Sequence, residues 1–134
     1  MKKNHNKIIF LLKDLKRGGA EIFIADLANY LSKRGFIIEI LTISDENVFK
    51  NEINRTIKVS SLHEEKIGRS FYKLYRHLKF NKYNLVVANV WPISIIANLS
   101  CFFIRNLKCL NVEHGILSKE FSSRSWLFNF FQKI

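Results

Sequence analysis

The sequence predicts an α/β fold in which helices cover both faces of a parallel sheet. Short apolar runs rich in β-branched residues alternate along the chain with stretches of helical periodicity. The apolar runs are nearly continuous, which is typical of strands that are buried on both faces. A strand, a helix and a second strand within the first 43 residues form one crossover unit, and such units are right-handed in parallel sheets.

The first strand is predicted at residues 7–12, and a polar turn that reaches Gly18-Gly19 follows it. A helical stripe then begins, formed by Ala20, Ile24, Leu27, Ala28 and Leu31. The helix is expected to end at Lys33-Arg34-Gly35, because two cations there meet the carbonyl end of the dipole and glycine can adopt a left-handed conformation. Residues 36–43 are predicted to form the second strand.

Three further strands are predicted at residues 57–59, 84–88 and 107–112. Helices are predicted at residues 64–80, at residues 92–105 and late in the last segment, 117–134. The expected strand order is 3-2-1-4-5, a doubly wound arrangement in which the first and fourth strands flank the point where the order reverses. Parallel sheets bind ligands at the carboxyl ends of the strands beside that point.

The composition describes one folded domain with a strong positive charge. The chain has 134 residues, 48% of them hydrophobic, and 22 Lys and Arg against 11 Asp and Glu give a net charge of +11. This excess favours polyanionic partners such as nucleic acid, anionic lipid or phosphorylated substrates. Two cysteines are too few for a disulfide framework, and no segment is predicted to span a membrane, so a cytoplasmic location is expected.

Three polar segments follow predicted strands and are candidates for a binding site. Gly18-Gly19-Ala20-Glu21 opens the first helix, where glycines let a diphosphate approach the free N–H groups. An equally weighted alternative is that the glycine pair only makes a tight turn. Asn89 follows the fourth strand, and Glu113-His114-Gly115 follows the fifth, where His114 is either a hydrogen-bonding group of a site or a structural histidine. The other histidines, His5, His63 and His77, are interpreted as solvated.

The opening of the chain closely resembles that of a known enzyme family. The residues that carry this resemblance are Lys7-Ile8-Ile9-Phe10, Gly18-Gly19-Ala20-Glu21, Leu27-Ala28-Asn29-Tyr30-Leu31 and Lys33-Arg34-Gly35, with Val112-Glu113-His114-Gly115 later in the chain. They resemble glycosyltransferase family 4, whose members have the GT-B fold with two Rossmann-like domains. The whole chain, residues 1–134, is then expected to be the N-terminal, acceptor-side domain, incomplete at its C-terminal end, with the nucleotide-binding C-terminal domain absent.

The resemblance implies an enzyme that transfers a sugar, with retention, from a nucleotide-sugar donor to a glycan or lipid-linked acceptor in surface polysaccharide synthesis. No metal and no cofactor are implied, since the nucleotide-sugar is a substrate. Gly18 and Gly19 would approach the donor diphosphate, His114 would contact the transferred sugar, and Glu113 would shape that pocket. Asn89 and Glu21 are expected to line the acceptor side or the pocket. A separate chain that carries the C-terminal domain is a candidate partner. Without such a domain the isolated chain is expected to be inactive, because the developing diphosphate charge would lack its clamp.

Two alternatives remain open at the level of sequence. A dinucleotide-binding domain of the NAD type shares the strand, turn and helix, but Gly-x-Gly-x-x-Gly is absent and Glu39 lies inside a strand rather than at its end. A basic module that binds nucleic acid or an anionic surface is the other alternative.

A basic row on the second predicted helix suggests contact with an anionic membrane. Lys66, Arg69, Lys73 and Arg76 recur at helical spacing and are expected to face away from the apolar side of the helix. Such a row is consistent with a peripheral protein on the inner face of the plasma membrane. The same row can also be a solvated helix face without a partner.

Overall fold

The computed structural model of the protein describes residues 6–16, 18–46, 50–89 and 91–112. Five strands and three α-helices alternate along these residues, with one short 3₁₀ helix between the second and third strands. In chain order the elements are β1 (Lys7–Leu12), α1 (Gly19–Lys33), β2 (Ile37–Thr42), the 3₁₀ helix (Lys50–Glu52), β3 (Lys58–Ser61), α2 (Ile67–Asn81), β4 (Leu85–Asn89), α3 (Ile93–Phe103) and β5 (Lys108–Val112).

The strands form one sheet in the order β3-β2-β1-β4-β5, and every neighbouring pair is parallel. β1 is central, with Phe10 aligned with Ile40 of β2 on one side and with Val87 of β4 on the other. The predicted strand order is therefore confirmed. Because all strands run in the same direction, their carboxyl ends meet at one edge of the sheet, called here the carboxyl edge, and their amino ends meet at the opposite one.

The side chains of β1 alternate between two apolar cores, one on each face of the sheet. Phe10 and Leu12 pack with Ile24 and Ala28 of α1, whereas Ile9 and Leu11 pack in a second core. That second core contains side chains of α2 and α3, including Leu74, Leu78, Ile93 and Ala97. Burial on both faces explains why the strand sequence is continuously apolar.

The first helix begins and ends close to the predicted residues. Its apolar stripe places Ile24, Ala25 and Ala28 against the sheet. At its end the Arg34 N–H donates to the carbonyl of Leu31, and Gly35 adopts a φ of 91°. This is the left-handed region that glycine occupies without steric strain, so the predicted role of Gly35 is confirmed.

The end of β3 and the start of α2 differ from the prediction because pairing with β2 continues further than expected. β3 extends to Ser61, and beyond it the N–H of Leu62 donates to the Thr42 carbonyl at 2.9 Å. The N–H of Glu64 likewise donates to the Ile43 carbonyl, which keeps this segment extended. α2 therefore starts at Ile67 rather than at residue 64.

A buried carboxylate lies on the α2 face of the sheet. Glu39, in the middle of β2, is 2% exposed. The Ser60 hydroxyl donates to Glu39 Oε1 at 2.6 Å, the Tyr83 hydroxyl donates to Oε2, and His77 Nε2 lies 2.9 Å from Oε1. His77 Nε2 also lies 2.9 Å from the Tyr83 oxygen. Because the Tyr83 proton points to Glu39, Nε2 must carry a proton to satisfy both of its contacts.

The interpretation of His77 as a solvated residue was wrong. Its side chain is 19% exposed and forms part of the Glu39 cluster. A buried carboxylate needs partners because losing its hydration is costly, and α2 supplies one of them. The sequence signal for this contact is Glu39 itself, a charged residue within an otherwise apolar strand.

The hydrogen bonds decide the ionisation of the cluster. Burial alone would raise the pKa of the Glu39 carboxyl, but hydrogen bonds from His77, Ser60 and Tyr83 outweigh it and lower the pKa from 4.5 to about 2. Burial and the neighbouring carboxylate raise the pKa of Tyr83 well above its ordinary range. At neutral pH the cluster thus contains an ionised Glu39 and a neutral Tyr83.

We expect Glu39→Gln to lower the free energy of unfolding at pH 7 by about 2–3 kcal/mol, since it removes a charge that three donors stabilise. The folded-state pKa is the lower one, so this stability is complete above pH 4.5 and is lost as the pH falls toward 2. Urea unfolding from pH 7 to pH 2 should show a shallower acid loss in the variant than in the wild type.

The matched control for this measurement is Glu46→Gln. Glu46 forms an ion pair with Lys16 at the surface, where its side chain is 57% exposed, so we expect a change below about 0.5 kcal/mol. Equal pH profiles for the Glu39 variant and the wild type would contradict the assignment.

Candidate functional site

At the carboxyl edge, the loops that follow β1 and β2 are hydrogen-bonded to each other. The N–H of Ser44 donates to the Lys13 carbonyl at 3.0 Å, and the N–H of Leu15 donates to the Glu46 carbonyl at 2.9 Å. These bonds attach the loop after β1 to the loop after β2. They set the path by which the chain reaches Gly18 at the start of α1.

Neither glycine of the pair is required by its backbone conformation. Gly18 has a φ of −139° and a ψ of 167°, an extended conformation that any residue adopts. Gly19 is the first residue of α1, and a Cβ added there would meet no atom within 4 Å. The Gly18 backbone is therefore not in a left-handed turn conformation. The missing side chain of Gly19 leaves open space beside the first turn of the helix.

The first turn of α1 has donors available for a ligand. The first bond within the helix runs from the Ile22 N–H to the Gly18 carbonyl, and no side chain caps the helix. The N–H groups of Gly19 and Ala20 precede that bond, where they have no carbonyl partner within the helix. Together with the positive end of the helix dipole, such groups attract anions.

Glu21 folds back toward the start of its own helix. A Cβ placed on Gly18 would collide with the Glu21 carboxylate, so this side chain lies directly beside the glycine. A carboxylate in the first turn is favoured by the helix dipole. Glu21 therefore borders the open space at Gly19 and occupies part of the positively polarised end of the helix.

Asn89 ends β4, the strand next to β1, and is 2% exposed. Its side chain is on the α1 face, since Val87, two residues earlier, packs in the core with α1. The Asn89 Oδ1 atom is buried and has no hydrogen-bond partner among the described residues. A buried amide oxygen without a partner is costly in a folded protein, which makes this atom a candidate acceptor for a ligand.

The remaining two candidate residues follow β5. Asn89 is aligned with Val112, the last residue of that strand. Glu113 and His114 come next in the sequence and lie outside the described residues. Gly18, Gly19 and Asn89 thus stand at the carboxyl ends of two adjacent strands, β1 and β4, on the α1 side of the sheet.

Two acidic residues, Asp14 and Glu39, have surroundings that the sequence did not predict. Asp14, which follows β1, is only 8% exposed and accepts a hydrogen bond from the Lys16 N–H at 3.1 Å. Its place directly after a buried strand could have marked it as part of this edge. Glu39 is committed to His77 and Tyr83, so it cannot be the ribose-binding carboxylate that a dinucleotide site requires.

The four residues of the basic row are all exposed, but they differ in their surroundings. Lys66 precedes α2 as its N-cap residue. Lys73 forms an ion pair with Glu64 at 2.7 Å and also donates to the Leu62 carbonyl. Arg76 lies over the rings of Tyr72 and Phe80.

A surface cleft of about 470 Å³ lies elsewhere, beside β3. Lys50 and Arg55 border it, and Ile57 and Val59 form its apolar wall. It shares no residue with the glycine turn or with Asn89. The cleft is therefore separate from the candidate site at the carboxyl edge.

Comparison with known proteins decides the family. The sequence profile of Glycosyltransferase Family 4 matches residues 17–134, which include the glycine turn, Asn89 and the segment after β5. The chain belongs to this family. Membership was the expectation drawn from the Gly-Gly-Ala-Glu turn and the elements around it, and it is confirmed.

A solved structure agrees with this assignment at the level of the fold. Sucrose-phosphate synthase from Thermosynechococcus elongatus superimposes with a TM-score of 0.65 at 16% sequence identity. The match covers 92% of the family 4 chain described here and 36% of the synthase chain. A search of curated proteins gave no significant match. The Rossmann-like architecture of a GT-B glycosyltransferase domain is thus established.

The described residues of this family 4 chain contain neither a candidate membrane span nor a candidate metal site. None of its described helices is long and apolar enough to cross a bilayer. Within the same residues, no three His, Cys, Asp or Glu side chains are grouped in a way that could hold a metal ion.

We expect Asn89→Leu to raise the free energy of unfolding by about 1 kcal/mol, because it replaces an unpaired buried amide with an apolar side chain of similar size. Thermal unfolding followed by circular dichroism measures this change. The matched control is Asn111→Leu, an exposed position in β5, where we expect a change within about 0.5 kcal/mol. A destabilised Asn89→Leu protein would show that the amide has a structural partner.

Proposed function

We propose that this chain is the acceptor-side half of a retaining glycosyltransferase that moves a sugar from a nucleotide donor to a glycan or lipid-linked acceptor. The observation that carries the proposal is the open first turn of α1. The backbone there does not require glycine, yet two glycines follow the central strand at its carboxyl end. The chain is also a member of glycosyltransferase family 4. A diphosphate is the ligand whose size and charge fit such a turn.

The proposal assigns a different task to each candidate residue. The N–H groups at Gly19 and Ala20 donate to the donor diphosphate, and the absence of a Cβ lets its oxygens come close. The Asn89 amide oxygen accepts a hydrogen bond from a hydroxyl of the bound sugar or acceptor. Glu21 borders the diphosphate and disfavours a second anion beside it.

The segment after β5 would complete the pocket. We propose that His114 contacts the transferred sugar and that Glu113 shapes the same wall. Both follow Val112, which is aligned with Asn89. The proposal needs no metal, since the helix N-terminus and cationic groups of a partner domain can neutralise the diphosphate.

The proposed site has a second half that is not in the described residues. The matched synthase chain is nearly three times as long as the region aligned with this protein, consistent with a site shared between two domains. We propose that a second Rossmann-like domain, on the same or another chain, supplies the remaining contacts to the nucleotide. The half-site described here should then bind a donor weakly when it is alone.

The first test of this function is Gly19→Val. The added side chain projects into the space proposed for the diphosphate, so we expect donor affinity to fall by about tenfold or more. Chemical-shift changes of the labelled full chain on titration with uridine, adenosine and guanosine diphosphate sugars measure this affinity. The fold should be unchanged, because a Cβ at Gly19 meets no atom within 4 Å.

Gly68→Val is the matched control for that titration. Gly68 also lies in the first turn of a helix, α2, and a Cβ there also meets no atom within 4 Å. The two variants therefore have the same chemistry and a similar setting, but only one is at the proposed site. Equal donor affinities in both variants would rule out the glycine turn as the diphosphate site.

The second test concerns turnover with the second domain supplied. We expect His114→Ala to lower kcat by about 100-fold or more while leaving the donor Kd within a few-fold, since its proposed contact is to the reacting sugar. His63→Ala is the control, because His63 is 72% exposed and paired with Asp45. A wild-type kcat in the His114 variant would remove this residue from the proposed mechanism.

A further inference from the structure

The two cysteines of the chain come together in the fold. Cys101 lies in the last turn of α3, and Cys109 is the second residue of β5. Both are partly exposed free thiols, and both pack against the apolar core on the α2 and α3 face of the sheet. The Cys101 thiol donates a hydrogen bond to the Cys109 sulfur. The 2 cysteines of the sequence are thus in contact at one place in the structure.

The backbone holds each cysteine in place independently of the thiols. Cys101 belongs to α3, which packs on β4 and β5. Cys109 is aligned with Val86 of β4, a residue that is fully buried in the sheet. The Lys108 N–H donates to the Asn84 carbonyl at 3.1 Å, which fixes the start of β5. The contact between the two sulfurs therefore follows from the packing of α3 against β5.

Half-buried cysteines often serve only as small apolar side chains, and Cys101 and Cys109 do contribute to the core. Two features go beyond that role. Their sulfurs contact each other, and neither residue is fully buried, so small molecules in the solvent reach them. The Cys109 thiol also donates to Oδ1 of the exposed Asn111 at 3.7 Å, which places this sulfur near the protein surface.

Hydrogen bonding makes the two thiols unequal. The bond from Cys101 lowers the pKa of the Cys109 thiol, because a donor stabilises the thiolate. The same bond, together with burial, raises the pKa of the Cys101 thiol well above its ordinary range. Cys109 is therefore the sulfur that ionises first, and the thiolate is the form that attacks an oxidant.

We propose that Cys101 and Cys109 are a reversible oxidation site, at which a hydroperoxide converts the two thiols into a disulfide that joins α3 to β5. A chain with so few cysteines has no disulfide framework, and a pair in contact within such a chain suits transient oxidation. The proposal does not depend on the proposed function, because neither the glycine turn nor Asn89 takes part in it.

The oxidation takes two steps. The Cys109 thiolate attacks one oxygen of the hydroperoxide, so that a sulfur–oxygen bond forms and the oxygen–oxygen bond breaks. The departing oxygen takes up the proton that Cys109 lost and leaves as an alcohol, or as water when the oxidant is hydrogen peroxide. Cys101 then attacks the Cys109 sulfenic acid, the disulfide forms, and hydroxide leaves with the Cys101 proton as water. The two thiols lose two electrons, and the peroxide gains the same two.

The first step enables the second. While Cys109 is a thiolate, it raises the pKa of Cys101 through their hydrogen bond. A sulfenic acid does not have this charge, so the pKa of Cys101 falls once Cys109 has reacted. A larger fraction of Cys101 is then ionised, and its thiolate attacks the sulfenic sulfur beside it.

A disulfide fits this place better than a metal ion does. The sulfurs of a disulfide are about 2 Å apart, so closing the bond shortens a contact that already exists. A thiol-bound ion such as zinc takes four ligands. Within the part of the chain that the structure describes, no third His, Cys, Asp or Glu joins the pair.

The disulfide would add a covalent link at one side of the sheet. Among the described strands, β5 pairs with β4 alone, and it leads the chain toward Glu113 and His114. The bond closes a loop over residues 101–109, which restricts the unfolded chain. Oxidation would thus attach this strand to α3.

The test treats the reduced full chain with hydrogen peroxide, blocks the remaining thiols with N-ethylmaleimide and measures the intact mass. We expect the wild type to lose two hydrogen atoms and to bind no maleimide. Trypsin cleaves after Arg105 and Lys108, so residues 83–105 and 109–119 should be recovered as one disulfide-linked species. Dithiothreitol should separate them and restore both thiols. Two maleimide adducts after the peroxide treatment, or a disulfide between two chains, would overturn the proposal.

Two variants of Cys101 test its role as a hydrogen-bond donor. Cys101→Ser keeps a donor at this position and Cys101→Ala does not, although neither variant can form the disulfide. The measurement is the rate at which iodoacetamide alkylates Cys109 at pH 7. The alanine variant should react about threefold or more slowly than the serine variant, because less of its Cys109 is ionised. Equal rates would overturn the assignment of Cys109 as the attacking thiolate.

An unfolded control separates the effect of the fold from that of closeness in sequence. The same peroxide treatment is repeated in urea, where α3 and β5 no longer hold the thiols together. We expect the disulfide to form about tenfold or more slowly there, because the effective concentration of one thiol at the other is lower. Equal rates in the folded and unfolded chain would contradict a site built by the fold. Circular dichroism checks that both Cys101 variants remain folded.

Discussion

The buried Glu39 carboxylate is the constraint on which much of the sheet and its helical cover depends. Its partners come from three other parts of the chain: Ser60 in β3, His77 in α2 and Tyr83 just before β4. An unpaired charge at this depth would be strongly unfavourable, so the four groups stabilise the fold only when they are together. The contact of His77 with Glu39 holds α2 against β2, and the contact of Tyr83 with Glu39 holds the segment just before β4.

The Glu39 cluster lies toward the end of the sheet opposite to the candidate site. Lys58 at the start of β3 lies 3.7 Å from Glu39 and Lys7 at the start of β1 lies over the Tyr83 ring, so the network belongs to the amino side of the sheet. The carboxyl edge is free of it. There the loops after β1 and β2 are bonded to one another, and Gly19 and Asn89 remain available for a ligand. The cluster that stabilises the fold and the proposed ligand site therefore lie at opposite ends of the same strands.

The sequence was sufficient for the architecture. Continuous apolar strands, a helical stripe before Gly35 and the crossover spacing predicted a parallel sheet in the order that is observed. The errors in the predicted architecture were in the bounds of the elements. For example, the Glu64 N–H bonds to the Ile43 carbonyl, so α2 starts later than the apolar pattern predicts. The glycine turn was also located from sequence, but its backbone angles and the open space at Gly19 follow only from the structure.

The sequence by itself determined the fold class, the family and the net positive charge, because each follows from local pattern or composition. Tertiary structure alone decided which polar side chains are buried. His77 was interpreted as solvated until packing against β2 brought it to Glu39, 38 positions away in the sequence. Likewise, Gly18 and Asn89 are far apart in the sequence and stand at neighbouring strand ends only because β1 pairs with β4. Contacts between distant residues depend on how the elements pack, and a local pattern contains no record of that packing.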